Sequence, residues 1–175
     1  MSGLLQVIAL VTAVASGLTG GALFAFSSVV MPALARVPPA TALPTMQAVN
    51  RVAPRSALMV PLVGSPVGCV VVGVWAAVAA DGPTRLLLVA GAVFGVAAFV
   101  VTAAYHVPRN DALARVPPDS AGATGATGST GEAGATGATG AWESYRPGWT
   151  AMNHVRVALA LLSAVLLVAG AVRGA

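Results

Sequence analysis

Four stretches of the chain stay apolar for long enough to cross a bilayer. A hydrocarbon core about 30 Å thick takes about 20 residues of helix. Residues 4–30, 57–79, 85–105 and 150–172 each reach that length. The pattern predicts an all-α, single-domain bundle of four transmembrane helices. The first stretch is longer than the core is thick, so it is expected to tilt or protrude. It has no basic leader and is too long for a signal peptide's apolar segment, and it reads as a retained span. Only ADGPT, residues 80–84, separates the second stretch from the third. That is a turn signal, and it makes spans two and three an antiparallel hairpin.

The other connections are longer and more polar. In the first, TALPTMQAVNRVAP (41–54) has the pattern of a short amphipathic helix ended by Pro54. The third runs from His106 to Trp149. Within it, every third residue from Gly122 to Gly140 is glycine, in GATGATGSTGEAGATGATG. The period matches collagen, but no proline fills the other positions to pre-set the extended helix. Residues 120–141 therefore read as a flexible insertion that lengthens a surface loop.

Composition supports the membrane reading. The chain is 57% hydrophobic and 8% charged, with a mean hydropathy of +0.86. A soluble domain carries about 25% charged residues. All nine basic residues are arginines, and they are scattered rather than clustered, which argues against nucleic acid. Arg36, Arg51, Arg55, Arg109, Arg115 and Arg146 lie in the first and third connections, whereas the opposite side has Arg85 and Arg173. This bias predicts that the first and third loops are cytoplasmic and that the protein lies in the cell membrane. The lone Cys69 rules out an internal disulfide and the cysteine-pair chemistry of small quinone-linked redox enzymes. Glycines four apart (Gly17 and Gly21, Gly64 and Gly68, Gly91 and Gly95) predict close helix packing within one bundle or in a homo-oligomer.

The polar residues are concentrated at one membrane face. Because the spans alternate in direction, the first and third connections share a side. Pro108 is expected to stop span three near His106, leaving Asn110 free to fold back. Trp149, Asn153 and Arg156 are spaced by four and three, hence on one helical face, with His154 a quarter turn round from Asn153. Gln47, Asn50 and Arg51 fall on one side of the short helix. Trp142, Glu143 and Tyr145 precede the last span. Singly, these are interfacial anchors or solvated groups. Together, polar groups in a membrane bundle usually face its interior and mark a pocket.

The sequence also resembles a known family. FAFSSVVMPAL (24–34), MQAVNR (46–51), VPRN (107–110) and WESYRPGWTAMNHVR (142–156) are similar to the anthrone oxygenases, small four-helix membrane proteins. The likeness covers nearly the whole chain outside the glycine repeat. His106 stands where members of that family often carry Asn. The resemblance implies oxidation of an anthrone-like hydrophobic aromatic by dioxygen, without a cofactor. Such a reaction needs a base, donors for an oxyanion, and an apolar slot. His154 is the expected base, because an imidazole changes charge near neutral pH. Asn153, Asn50 and Asn110 are expected donors, and Arg156 an anion stabiliser. Trp142 and Trp149 would stack on a flat ring, and Gln47, Arg51 and His106 would complete the substrate site. Two other readings stay open. One is a non-catalytic bundle that binds a hydrophobic small molecule or a partner. The other is haem or metal held between His106 and His154, although two histidines without cysteine or paired carboxylates do not make a closed metal site.

Overall fold

The computed structural model of the chain describes residues 2–117 and 130–175, the latter with side chains from residue 137 onward. Among these residues there is no strand. The elements are α1 (Gly3–Leu34), α2 (Pro39–Val52), α3 (Met59–Ala79), α4 (Gly82–Ala114) and α5 (Thr130–Arg173). A 3₁₀ turn, Ala53–Arg55, follows α2. Helices α1, α3, α4 and the Gly137–Arg173 part of α5 are each long and apolar enough to cross a membrane. The chain is thus a multi-pass, four-helix membrane protein.

Helix α5 packs along both α1 and α4, while α3 closes the bundle against α1 and α4. Val7, Val11, Val14 and Leu18 of α1 and Val67, Val70 and Val74 of α3 are exposed on the outer surface, as suits a face against acyl chains. One apolar cluster fills the end near the chain termini and includes Leu5, Val72, Leu88 and Leu167. The other lies at the loop end and joins Met31, Leu43, Met46 and Leu113 to Trp142, Tyr145 and Trp149. The amphipathic α2 serves that second cluster: Ala42, Leu43, Met46 and Gln47 are buried, and Thr41, Thr45 and Arg51 are exposed.

The α3–α4 hairpin is as tight as ADGPT implies. Gly82 opens α4 at φ 52°, a left-handed conformation that glycine adopts without a Cβ clash. The paired glycines divide between two roles. A Cβ on Gly91 would lie 3.0 Å from Leu167 Cγ, and one on Gly95 would lie 2.8 Å from Ser163 Oγ and also meet Cys69 Sγ. A Cβ on Gly68 would strike Thr12. These three hold helices together within the bundle. Gly21 and Gly64 have open space where a Cβ would stand.

Interior prolines do not end α2, α3 or α5, which run through Pro44, Pro66 and Pro147, and two helices pass theirs on a widened turn. Span three does not stop near His106, since α4 continues to Ala114. A π-helical turn, Thr102–His106, precedes Pro108, and the Val107 N–H reaches back five residues to the Thr102 carbonyl. The same device sits in α1: Phe26–Val30 is π-helical, the Met31 N–H bonds to the Phe26 carbonyl, and Pro32 follows. Proline lacks the N–H and crowds the preceding turn; a turn widened just upstream absorbs both defects, and the helix continues past the proline.

The third connection also differs from the expected loop. Residues 118–129, where most of the first half of the glycine repeat falls, lie outside the described residues. From Thr130 the chain is helical and runs unbroken through Pro147 into the last span. Each helical glycine costs about 1 kcal/mol relative to alanine. Here tertiary packing overrides propensity, because Ala138 and Trp142 are buried in the loop-end cluster.

The packing makes a paired prediction. Gly95→Leu should lower stability by about 1–3 kcal/mol through overpacking, whereas Gly64→Leu should change it by less than about 0.5 kcal/mol. Thermal unfolding of the two variants in the same detergent checks the contrast.

Candidate functional site

The site is built on one face of α5. Trp142, Tyr145, Trp149, Asn153 and Arg156 follow at steps of three and four, and all are buried. Their side chains form a continuous column toward the bundle interior. Trp142 and Tyr145 are stacked, with ring centroids 5.9 Å apart. Tyr145 and Trp149 follow at 6.3 Å. The Arg156 guanidinium lies over the Trp149 ring, 5.6 Å from its centroid, a cation–π arrangement.

Asn153 locks this column to α1. Its amide nitrogen donates to the Leu23 carbonyl at 2.7 Å and to Ser27 Oγ. Both acceptors sit at the junction of the α ladder with the π turn. The Asn153 side-chain oxygen accepts from Arg156 Nη2. With both amide hydrogens used, Asn153 is an orienting bridge and has no donor left for a ligand. Arg156 Nη1 donates to Thr102 Oγ1 at 3.2 Å, at the π turn of α4. Arg156 is only 4% exposed, and among the described residues no carboxylate pairs with it. Its Nε–H is buried and has no hydrogen-bond partner among the described residues.

Above Arg156 lies a cavity of about 340 Å³, within the range of small-molecule sites. Its walls are largely apolar, from Leu23, Phe26, Met46, Leu62 and Phe99 among others. Val63 and Phe99, which also line it, are 41% and 37% exposed on the outer surface of α3 and α4, so its rim reaches the lipid-facing side. The polar lining is Asn50, His106, Asn110, Trp149 and Arg156, with Thr102. Asn110 Oδ1 accepts from Tyr145 OH at 2.8 Å and Trp149 Nε1 at 3.0 Å, which leaves its amide hydrogens for a ligand. Asn50 Nδ2 is buried and makes no hydrogen bond among the described residues; the Tyr145 hydroxyl lies beside it without meeting bonding geometry. His106 is 1% exposed. Its Nδ1 lies 3.4 Å from the Val101 carbonyl and its Nε2 3.3 Å from the Trp149 carbonyl. The ring meets Trp149 edge-on. Both nitrogens are thus turned to backbone.

The structure therefore gathers five of the ten expected residues at one cavity: Asn50, His106, Asn110, Trp149 and Arg156. Gln47 is elsewhere. Its amide donates to the carbonyls of Leu113 at 2.9 Å and Val116 at 2.8 Å, clamping α2 to the end of α4. Trp142 is packed behind Tyr145, away from the cavity. Arg51 and His154 are exposed and line no part of it. His154 follows Asn153, and one residue of helix is a rotation of about 100°; with Asn153 pointing inward, His154 points out. It lines no part of the cavity in which His106 sits, so the two imidazoles are not brought together there. Among the described residues no group of three or more His, Cys, Asp or Glu converges as a metal site. Ser27, Thr102 and Phe26 are site residues that sequence reasoning passed over; the signal was their place just before MP (31–32) and VP (107–108).

A family model described as anthrone oxygenase matches residues 51–166. The chain belongs to the anthrone oxygenase family. No curated protein and no solved structure matches it significantly. The matched residues contain α3, α4 and the site column of α5, whereas Asn50 of α2 and the site residues of α1 lie outside them.

The bridge gives a local prediction. Asn153→Ala leaves the Leu23 carbonyl without its amide partner and Arg156 without its acceptor, and should cost about 1–3 kcal/mol. His154→Ala should stay within about 0.5 kcal/mol. Thermal melts of both variants separate the buried bridge from the outward imidazole.

Proposed function

We propose that this protein oxidises an anthrone-like aromatic with dioxygen, needs no cofactor for it, and binds the substrate as its anion. The observation that carries this reading is the chemistry of the unpartnered atoms. Arg156 Nε and Asn50 Nδ2 are both donors, and Asn110 adds further amide hydrogens. A ligand that satisfies them presents acceptor oxygens, and the uncompensated guanidinium favours negative charge. Removing one partner of a buried ion is costly, so supplying the missing partner is correspondingly favourable. The apolar walls and the Trp149 ring suit a flat polycyclic body.

An anthrone carries a carbonyl opposite an acidic ring methylene. Loss of one methylene proton spreads the charge onto the carbonyl oxygen, where Arg156 and the two asparagine amides stabilise it. The proton goes to water at the rim, since the cavity presents donors and both nitrogens of His106 face backbone carbonyls. The carbanion passes an electron to dioxygen, and the radical pair combines at the methylene carbon to a peroxide. Protonation of the peroxide, loss of the second methylene proton and departure of hydroxide give the new carbonyl. The net change is anthrone plus dioxygen to quinone plus water. Donors that bind the anion more tightly than the neutral ketone lower the barrier to its formation.

The arginine bias supports a cell-membrane orientation with the site on the cytoplasmic side. A single cysteine placed at Arg55 in a C69S background should react with a membrane-impermeant maleimide only from that side.

Arg156→Gln should lower kcat for anthrone oxidation by about 10²–10³-fold, read as oxygen uptake by purified protein in nanodiscs. His154→Ala should leave the rate unchanged. The pH profile should follow ionisation of the substrate, so a more acidic anthrone should shift the profile to lower pH. An Arg156→Gln variant with undiminished turnover sinks the assignment. Thermal stabilisation by anthrones with no oxygen uptake indicates instead a bundle that binds aromatics without catalysis.

A further inference from the structure

A second, much smaller cavity lies deeper in the bundle and touches the first through Thr102. It measures about 10 Å³, and Ser16, Thr19, Ser65 and Thr102 supply its polar lining. Ser16, Thr19 and Ser65 are 1%, 4% and 6% exposed. The oxygens of Ser16 and Thr19 are buried with no hydrogen-bond partner among the described residues. Cys69 lies near Ser16, but a thiol is a weak partner.

These two hydroxyls have an obvious alternative, which they do not take. In this chain Ser28, Thr45, Thr102 and Thr150 each donate to the carbonyl four residues back. Ser16 and Thr19, in a setting where an unpaired hydroxyl costs far more, instead leave their own helix's carbonyls alone and face the cavity. Buried polar groups left over by the protein are usually satisfied by ordered water, and a water needs room for about one probe sphere and two to four polar partners. The cavity offers that room and four hydroxyls.

We propose that this cavity is a binding site for a single water molecule. The water joins Ser16 and Thr19 of α1 to Ser65 of α3 and Thr102 of α4. Thr102 Oγ1 donates to the Ala98 carbonyl at 3.0 Å and accepts from Arg156 Nη1, which leaves one lone pair for a water hydrogen. The water therefore extends the hydrogen-bonded support of Arg156 from Thr102 to hydroxyls of α1 and α3, neither of which bonds Thr102 directly. This site stands whether or not the chain oxidises anthrones.

A high-resolution structure of the purified protein should show one solvent peak within hydrogen-bond distance of both Ser16 Oγ and Thr19 Oγ1. An empty cavity, or hydroxyls rotated onto the Thr12 and Ala15 carbonyls, overturns the proposal. The melting temperature gives an independent sign. Thr19→Val and Ser16→Ala remove hydroxyls at nearly constant shape. If water is bound, each loses a water-mediated bond and the midpoint should fall by about 2–4 °C. If the hydroxyls are orphans in a dry cavity, their removal relieves a penalty; a midpoint that is unchanged or raised overturns the proposal.

Discussion

The site end of this bundle is organised around a buried guanidinium with no counter-charge among the described residues. Arg156 is held by neutral groups only: the Asn153 side-chain oxygen, the Thr102 hydroxyl and the face of Trp149. Each comes from a different constraint. Asn153 is fixed because its amide is spent on α1. Thr102 is fixed because it bonds its own helix. Trp149 is fixed by Asn110 through its indole N–H. Dipoles of this kind orient a cation without neutralising it. The charge stays available, which is unusual in a medium where isolated ions are expensive.

That arrangement depends on irregular backbone. The carbonyl and hydroxyl that receive Asn153 lie where α1 changes from α to π geometry, and Thr102 opens the matching turn in α4. The polar chemistry and the proline chemistry are therefore one design: the same two turns that let the helices pass a proline also present the groups that seat the asparagine and the arginine.

The spans were legible in the sequence because hydrocarbon thickness sets their length and because few charges interrupt them. The gathering of polar residues at one end was also legible, from alternation of direction alone. The Trp149, Asn153, Arg156 face followed from spacing. The phase of α5 was harder. In water, a polar outer face tells which side of a helix is buried; in lipid, both sides are apolar, and that signal vanishes. Hence Asn153 and His154 looked equivalent until packing separated them. Gln47 looked like a ligand contact because the segment it clamps, the end of α4, was expected to be loop. The extension of α4 turned on how Pro108 is absorbed, and no propensity scale encodes a compensating turn five residues wide.

Each π turn holds one residue more than an α-helix would use over the same rise. Beyond that point everything is rotated by about 100° relative to a regular continuation. In α4 the shift governs where Asn110 faces, and in α1 it governs Met31 and Leu34. The spacing between the lower bundle and the site is thus a matter of count as well as identity. Loss of a single amino acid within 26–30 or 102–106 would therefore let the turn close to regular α geometry with the distal residues near their present phase, whereas loss of one elsewhere in either helix, where no spare residue exists, would swing the turns beyond it by about 100° and dismantle the pocket.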